Sequence, residues 1–282
     1  MTGGFNTYGF TIIETLIVLG ITAVLLLSAM YTLSGKTGEG EFTQAVNGIK
    51  TSLQQIINNS SSGIYPGAGG FQCSLSSTGT ISLNGSGTSQ GQHYGCTFLG
   101  RMISFSNSAL SSGTPQTYTV YTIVGQQCAT DTVFSSGCTV PSSWLEAGPY
   151  ILPASTGTQA SQTVYNGISL HSVTLKNGGT PVVYTGSAIP LTNIGFLANP
   201  ATIASSSAPT ANNLSPGSLQ INVFAYTHSP TAGAMITGDL TQESEIDLCF
   251  ASATTDKSVE MVLNGTGVQA IVSTHIYGGY IC

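Results

Sequence analysis

From residue 10 to residue 33 the chain reads "FTIIETLIVLGITAVLLLSAMYTL", apolar on every side and carrying one charge, Glu14. These 24 residues form a helix about 36 Å long at 1.5 Å per residue, enough to cross a bilayer. The glycines of "SGKTGEGE" (34–41) then interrupt the pattern. At up to about 1 kcal/mol each in a helix interior, they predict a flexible break. Beyond it, Phe42, Val46, Ile49, Leu53, Ile56 and Ile57 fall on one stripe. That spacing predicts a second, amphipathic helix ending near Asn58 and Asn59. The stripe covers only about two heptads, so packing on a sheet is favoured over a coiled coil.

After residue 60 the period changes. "FLGRMISF" (98–105), "TYTVYTIVG" (117–125), "VVYTG" (182–186), "SLQINVFAY" (218–226), "SEIDLCFA" (244–251), "SVEMVL" (258–263) and "VQAIVST" (268–274) read as strands. "NGTG" (264–267) between the last two is a hairpin signal. The segments 81–95 and 199–218, rich in Gly, Ser and Pro, read as loops. The predicted class is α+β: a long N-terminal helix and an amphipathic helix packed on a mainly antiparallel, β-rich head.

Composition narrows the function. Charged residues are 6% of the chain and the net charge is −6. The basic residues Lys36, Lys50, Arg101, Lys176 and Lys257 are scattered, and nucleic-acid affinity rests largely on clustered phosphate contacts. This argues against DNA as a partner. Six cysteines, at 73, 96, 128, 138, 249 and 282, form no CxxC pair. An even number behind an apolar N-terminus favours disulfides in an oxidising compartment, with buried thiols as the alternative. Of the 15 connectivities open to six cysteines, neighbour pairing gives Cys73–Cys96, Cys128–Cys138 and Cys249–Cys282.

Glu14 is the residue that a plain anchor does not explain. A carboxylate within a span costs roughly 2.5–3.5 kcal/mol on insertion scales and marks a partner or a function. The preceding "MTGGFNTYG" lacks the Lys or Arg of a secretory signal, and the apolar run is too long for one. Cutting after Gly9 would free the α-amino group of Phe10. That amine lies too close to the terminus to fold back onto Glu14, but a neighbouring, axially shifted helix would bring the two together.

The run from Gly9 to Leu27, "GFTIIETLIVLGITAVLLL", resembles the class III signal of type IV pilins and type II secretion pseudopilins: a glycine, an aromatic, Thr, two aliphatics, Glu and a long apolar helix. The resemblance implies cleavage between Gly9 and Phe10 by a prepilin peptidase and methylation of the Phe10 amine. It further implies an inner-membrane assembly platform, and registration of other pilin subunits by Glu14. The leader lacks the usual basic residues, and Met30-Tyr31 stand near where the family often has a helix-bending proline. The tail, from Glu245 to Ser273, is similar to the closing hairpin of FimT-like minor pseudopilins, without their basic residues at Gly267-Val268-Gln269. The implied organisation is a leader (1–9), a transmembrane and filament-core helix (10–33), a glycine break with an amphipathic helix (34–59) and an extracellular head (60–282). The chain would pass from the cytoplasmic membrane to a surface filament.

Other chemistry is thinner. "GTSQG" (87–91) has the form G-x-S-x-G but no helix pattern follows it. His93 and Cys96 stand at ligand spacing, yet a second pair is missing, and His171, His228 and His275 are far apart. Asp239, Glu243, Glu245 and Asp247 form the densest acidic patch. Calcium suits such spacing, but Glu245 and Asp247 alternate with Ile246 and Leu248 and read as the wet face of a strand. The N-x-S/T triplets at Asn84 and Asn264 are expected by chance. No nucleophile–base set can be assembled, so the chain is expected to be no enzyme and to need no cofactor. The rival readings are a type II secretion pseudopilin and a filament-displayed, adhesin-like head with loops such as "GQHYG" (91–95), with a membrane-anchored enzyme behind both.

Overall fold

The computed structural model describes residues 11–61, 70–75, 81–87, 93–94, 96–105, 117–126, 141, 144–152, 160–163, 168–185, 193–198, 221–231, 233–236, 240–252, 255–264, 271–279 and 282. It begins with one helix, α1 (Ile12–Ser61), of 50 residues. Next come β1 (Gly70–Leu75), β2 (Ile81–Gly87), β3 (His93–Tyr94), β4 (Cys96–Phe105) and β5 (Thr117–Gln126). A single turn, α2 (Trp144–Ala147), precedes β6 (Tyr150–Ile151), β7 (Ala160–Thr163), β8 (Ile168–Lys176) and β9 (Val182–Thr185). The chain finishes with β10 (Asn193–Ala198), β11 (Ile221–Tyr226), β12 (Leu240–Glu243), β13 (Glu245–Ser252), β14 (Lys257–Asn264) and β15 (Ile271–Gly278).

The predicted break at residues 34–41 is absent: α1 runs through its glycines uninterrupted and ends at Ser61. Gly35, Gly38 and Gly40 together cost about 3 kcal/mol of helix propensity, but the run contains no proline to remove a hydrogen bond. The head also holds this stretch. Lys257 Nζ reaches Glu39 Oε1 at 2.8 Å, and a Cβ on Gly38 would stand 3.2 Å from Thr255 Cγ2. The glycine serves a close approach between helix and head.

The strands form a small sheet in the order β2-β1-β3, a larger one in the order β12-β11-β10-β4-β5-β6 with β7 also on β5, and a third in the order β15-β14-β13-β8-β9. Two departures from expectation stand out. Residues 81–95, read as a loop, contain β2 and β3, because pairing with β1, antiparallel for β2 and parallel for β3, outweighs the poor strand propensity of Asn, Gly and Ser. β8 and β10 were not foreseen as strands, although β8 lies inside the third sheet and β10 inside the second.

The stripe predicted for the second half of α1 is the stripe that is buried: Phe42, Val46, Ile49, Leu53, Ile56 and Ile57 are 2–4% exposed. They share one core with inner faces of the two larger sheets, including Ile103, Phe196, Val223, Leu248, Phe250 and Met261. A second core on the other face of the seven-stranded sheet gathers Leu99, Met102, Ile123, Leu197 and Phe224. Strands β10 and β11 are therefore buried on both sides along their whole length. A register shift between Phe98 and Gly100 places Leu99 in the same core as Met102, three residues on. Gly100 has φ 146°, and a Cβ there would lie 2.0 Å from the Phe196 carbonyl oxygen; no other residue type fits.

The Cys249 and Cys282 sulfurs stand at bonding distance with Cα atoms 5.7 Å apart, closing a separation of 33 residues, as the neighbour pairing expected. Such a closure stabilises by about 3–4 kcal/mol on a chain-entropy account. Cys282→Ser should lower the unfolding free energy by about that amount, read by denaturant titration under non-reducing conditions, with no difference from wild type under reducing ones. Cys128 and Cys138 lie outside the described residues. The pairing of Cys73 with Cys96 involves side chains outside the description, although their backbones belong to β1 and β4.

Candidate assembly surface

The first half of α1 is a bare apolar cylinder. Residues Ile12–Tyr31 average a hydropathy of 2.4 and none of the window is buried. Ile12 is 82% exposed and Leu19 68%. Its hydroxyls are already satisfied within the helix: Thr15 donates to the Ile12 carbonyl, Thr22 to Val18 and Leu19, and Ser28 to Leu25. By length and composition the segment suits a membrane span. Besides these hydroxyls the window carries one charged side chain, Glu14.

Gly9 and Phe10 lie outside the described residues. Glu14 is the third residue of α1, and its backbone N–H lies 3.0 Å from the Thr11 carbonyl and 3.4 Å from Thr11 Oγ1. Thr11-x-x-Glu14 has the form of a capping box, in which an N-cap hydroxyl and an acid three residues on satisfy the free N–H groups of the first turn. An acid there also opposes the positive end of the helix dipole. This local role was legible in the T-x-x-E spacing and was missed beside the membrane argument. It has a consequence for tests, because a glutamine fills the same place in a capping box but cannot form an ion pair.

The acidic patch of the head comes apart in three dimensions. Asp239 lies outside the described residues. Glu243 ends β12 in the seven-stranded sheet, 5% exposed, with Thr241 Oγ1 donating to it at 3.0 Å. Glu245 and Asp247 belong to the other large sheet, where Lys176 Nζ meets them at 2.5 and 2.7 Å. The wet-face reading is therefore wrong for Asp247, which is 6% exposed: the Lys176 side chain, from the neighbouring strand β8, lies against it. Among the described residues no three His, Cys, Asp or Glu side chains converge as metal ligands. His171 and His275 sit on separate strands and His228 follows β11, while of "GTSQG" only Gly87 is described.

Burial raises the pKa of Glu243, and the Thr241 hydroxyl opposes that only in part. Burial likewise raises Asp247, against the smaller lowering by Lys176. Lys176 is raised by its hydrogen bonds to Asp247 and Glu245. For a carboxyl whose folded pKa lies above its unfolded value near about 4, folding is favoured by protonation. Stability therefore grows as pH falls through the raised values, and the Lys176 contribution is lost only as pH rises above its unfolded value of about 10.4. Lys176→Met leaves Asp247 buried without its cation. The expected cost is about 2 kcal/mol at pH 7, below the 3–5 of a fully buried pair because the amine is over a third exposed. Denaturant titrations at pH 7 and pH 4 should show the gap between variant and wild type shrinking at the lower pH.

Compared with protein-family models, with curated proteins and with solved structures, the chain matches none.

Proposed function

We propose that this chain is a structural subunit of a type IV pilus-like filament, in the manner of a minor pilin, cut after Gly9 and assembled through its N-terminal helix. The observation that carries the reading is the arm of α1. Twenty residues with no buried part and one carboxylate in the first turn continue without interruption into a helix whose second half is built into the head core. Such a cylinder is satisfied by lipid before assembly and by equivalent arms after it. The antiparallel closing strands β13, β14 and β15, with Cys249 on the first of them, agree with the minor-pseudopilin tail. The partners on this reading are other pilin subunits, a prepilin peptidase and an inner-membrane assembly platform, with the head displayed outside the cell.

The test is the N-terminus and intact mass of the chain recovered from its own membrane and surface fractions. A surface form beginning at methylated Phe10, beside a membrane precursor beginning at Met1, is the expected result. A surface form that still begins at Met1 overturns the reading and leaves a signal anchor bearing a separately functional head.

A further inference from the structure

Three large apolar side chains of the described head stand exposed, Val182 (50%), Val183 (58%) and Ile276 (55%). They are not scattered. Val182 and Val183 belong to β9 and Ile276 to β15, and these two strands are the opposite edges of the five-stranded sheet. An edge strand offers a row of N–H and C=O groups to any further strand, and proteins guard such edges with charged side chains, prolines, bulges or a covering element. The sequences "VVYT" of β9 and "IVSTHIYG" of β15 hold no Asp, Glu, Lys or Arg. Neither strand shifts register against its inner neighbour, and the nearest proline, Pro181, lies just ahead of β9.

The two edges also match each other. Each of the four steps from β15 through β14, β13 and β8 to β9 is antiparallel, so β15 and β9 run in the same direction. Val182 lies opposite Leu175 and Ile276 opposite Val259, and both of those partners belong to the core shared with α1. Directly opposed residues point to one face of a sheet. Val182 and Ile276 are therefore on the α1 side of the sheet, while Val183, opposite Thr174, is on the other. A second copy displaced sideways along the sheet, without being turned over, sets its β15 beside β9 as a parallel pair with apolar side chains on the same face. Pairing β9 with β9 would leave Ile276 bare, whereas this arrangement covers all three side chains.

We propose that the five-stranded sheet continues from subunit to subunit, the β9 edge of one copy taking the β15 edge of the next as its sixth strand. The two surfaces differ, so the contact is heterologous: with a screw displacement it repeats into an open helical stack instead of closing as a two-fold pair does. The contact deepens the filament reading and rests on it for the side-by-side arrangement of copies.

The test uses the full chain in its own cells, with p-benzoylphenylalanine in place of Val183, beside a tagged copy without the probe. After irradiation, cross-links in the membrane and surface fractions are mapped by mass spectrometry. Position 183 should link to residues 271–278 of the second copy, and the reciprocal probe at Ile276 should link to residues 182–185. Ile276→Lys in the tagged copy should weaken the first link at least about tenfold, because the contact would desolvate a charge, while leaving the Tm of this exposed position's variant unchanged. Links to β9 of the second copy, links only to another protein, no link from either probe, or a link undiminished by Ile276→Lys overturn the proposal. The N-termini of the linked chains are read in the same digests. Linked chains that all begin at Met1 sustain the edge contact while the filament reading fails. Surface chains that begin at methylated Phe10 and carry no such link overturn the edge contact and leave the filament reading in place.

Discussion

Glu14→Ala is expected to leave the chain in the membrane and remove it from surface filaments, with at least a tenfold drop in the sheared surface fraction and an unchanged or larger membrane pool. The opposed directions are the informative part. Deleting a carboxylate from a span relieves about 2.5–3.5 kcal/mol of insertion cost, so the precursor should accumulate where assembly no longer draws on it. The capping role makes alanine ambiguous by itself, because it also removes the acid of the capping box and a charge near the helix N-terminus worth about 0.3–1 kcal/mol. Glu14→Gln resolves this. Glutamine restores the capping box but offers no charge to a neighbouring α-amine. If assembly follows the charge, Gln behaves like Ala; if Gln assembles like the wild type, the acid serves the first turn of its own helix and the proposed registration fails.

The second large effect belongs to the head. Phe250→Ala should destabilise it by about 3–5 kcal/mol, a large fraction of the about 5–15 kcal/mol typical of a domain. Phe250 is fully buried and meets Phe105 edge-on at 6.1 Å between ring centres. Phe105 belongs to the seven-stranded sheet and Phe250 to the five-stranded one, so the pair joins the two sheets that share the core with α1. Surrounding side chains are held by two sheets and a helix and cannot collapse freely into the void, which places the cost in the upper part of the range for such truncations. Denaturant titration of the chain in micelles measures it. A loss under about 1 kcal/mol would mean that this junction repacks easily.

Much of this architecture could be read from the order of residue types, and the failures have physical causes. The stripe from Phe42 to Ile57 predicts its own burial, since a 3.6-residue period leaves one face to bury. β5, β13 and β14 announce themselves through β-branched residues and alternation. β10, "NIGFLA", shows no alternation because both of its faces are buried. β8 carries a register shift against β13 next to Cys249, so its apolar positions Leu170 and Val173 slip out of a period-2 template. The glycines of 34–41 read as a break because propensity is local, whereas the contacts at Gly38 and Glu39 come from residues more than two hundred positions away. The same blindness applies at Asp247, where alternation identifies a face but not that Lys176 will lie against it.

Because arm and head share one unbroken helix, they are geared together. Each residue of α-helix adds about 1.5 Å of length and about 100° of rotation. One residue inserted between Tyr31 and Glu39 would swing the head by more than a quarter turn about the arm while barely lengthening it. A seven-residue insertion would bring the head almost back into phase, about 10 Å further out. The neck of this molecule thus acts as a keyed shaft, and the direction in which each head faces is written into the count of residues between its two halves.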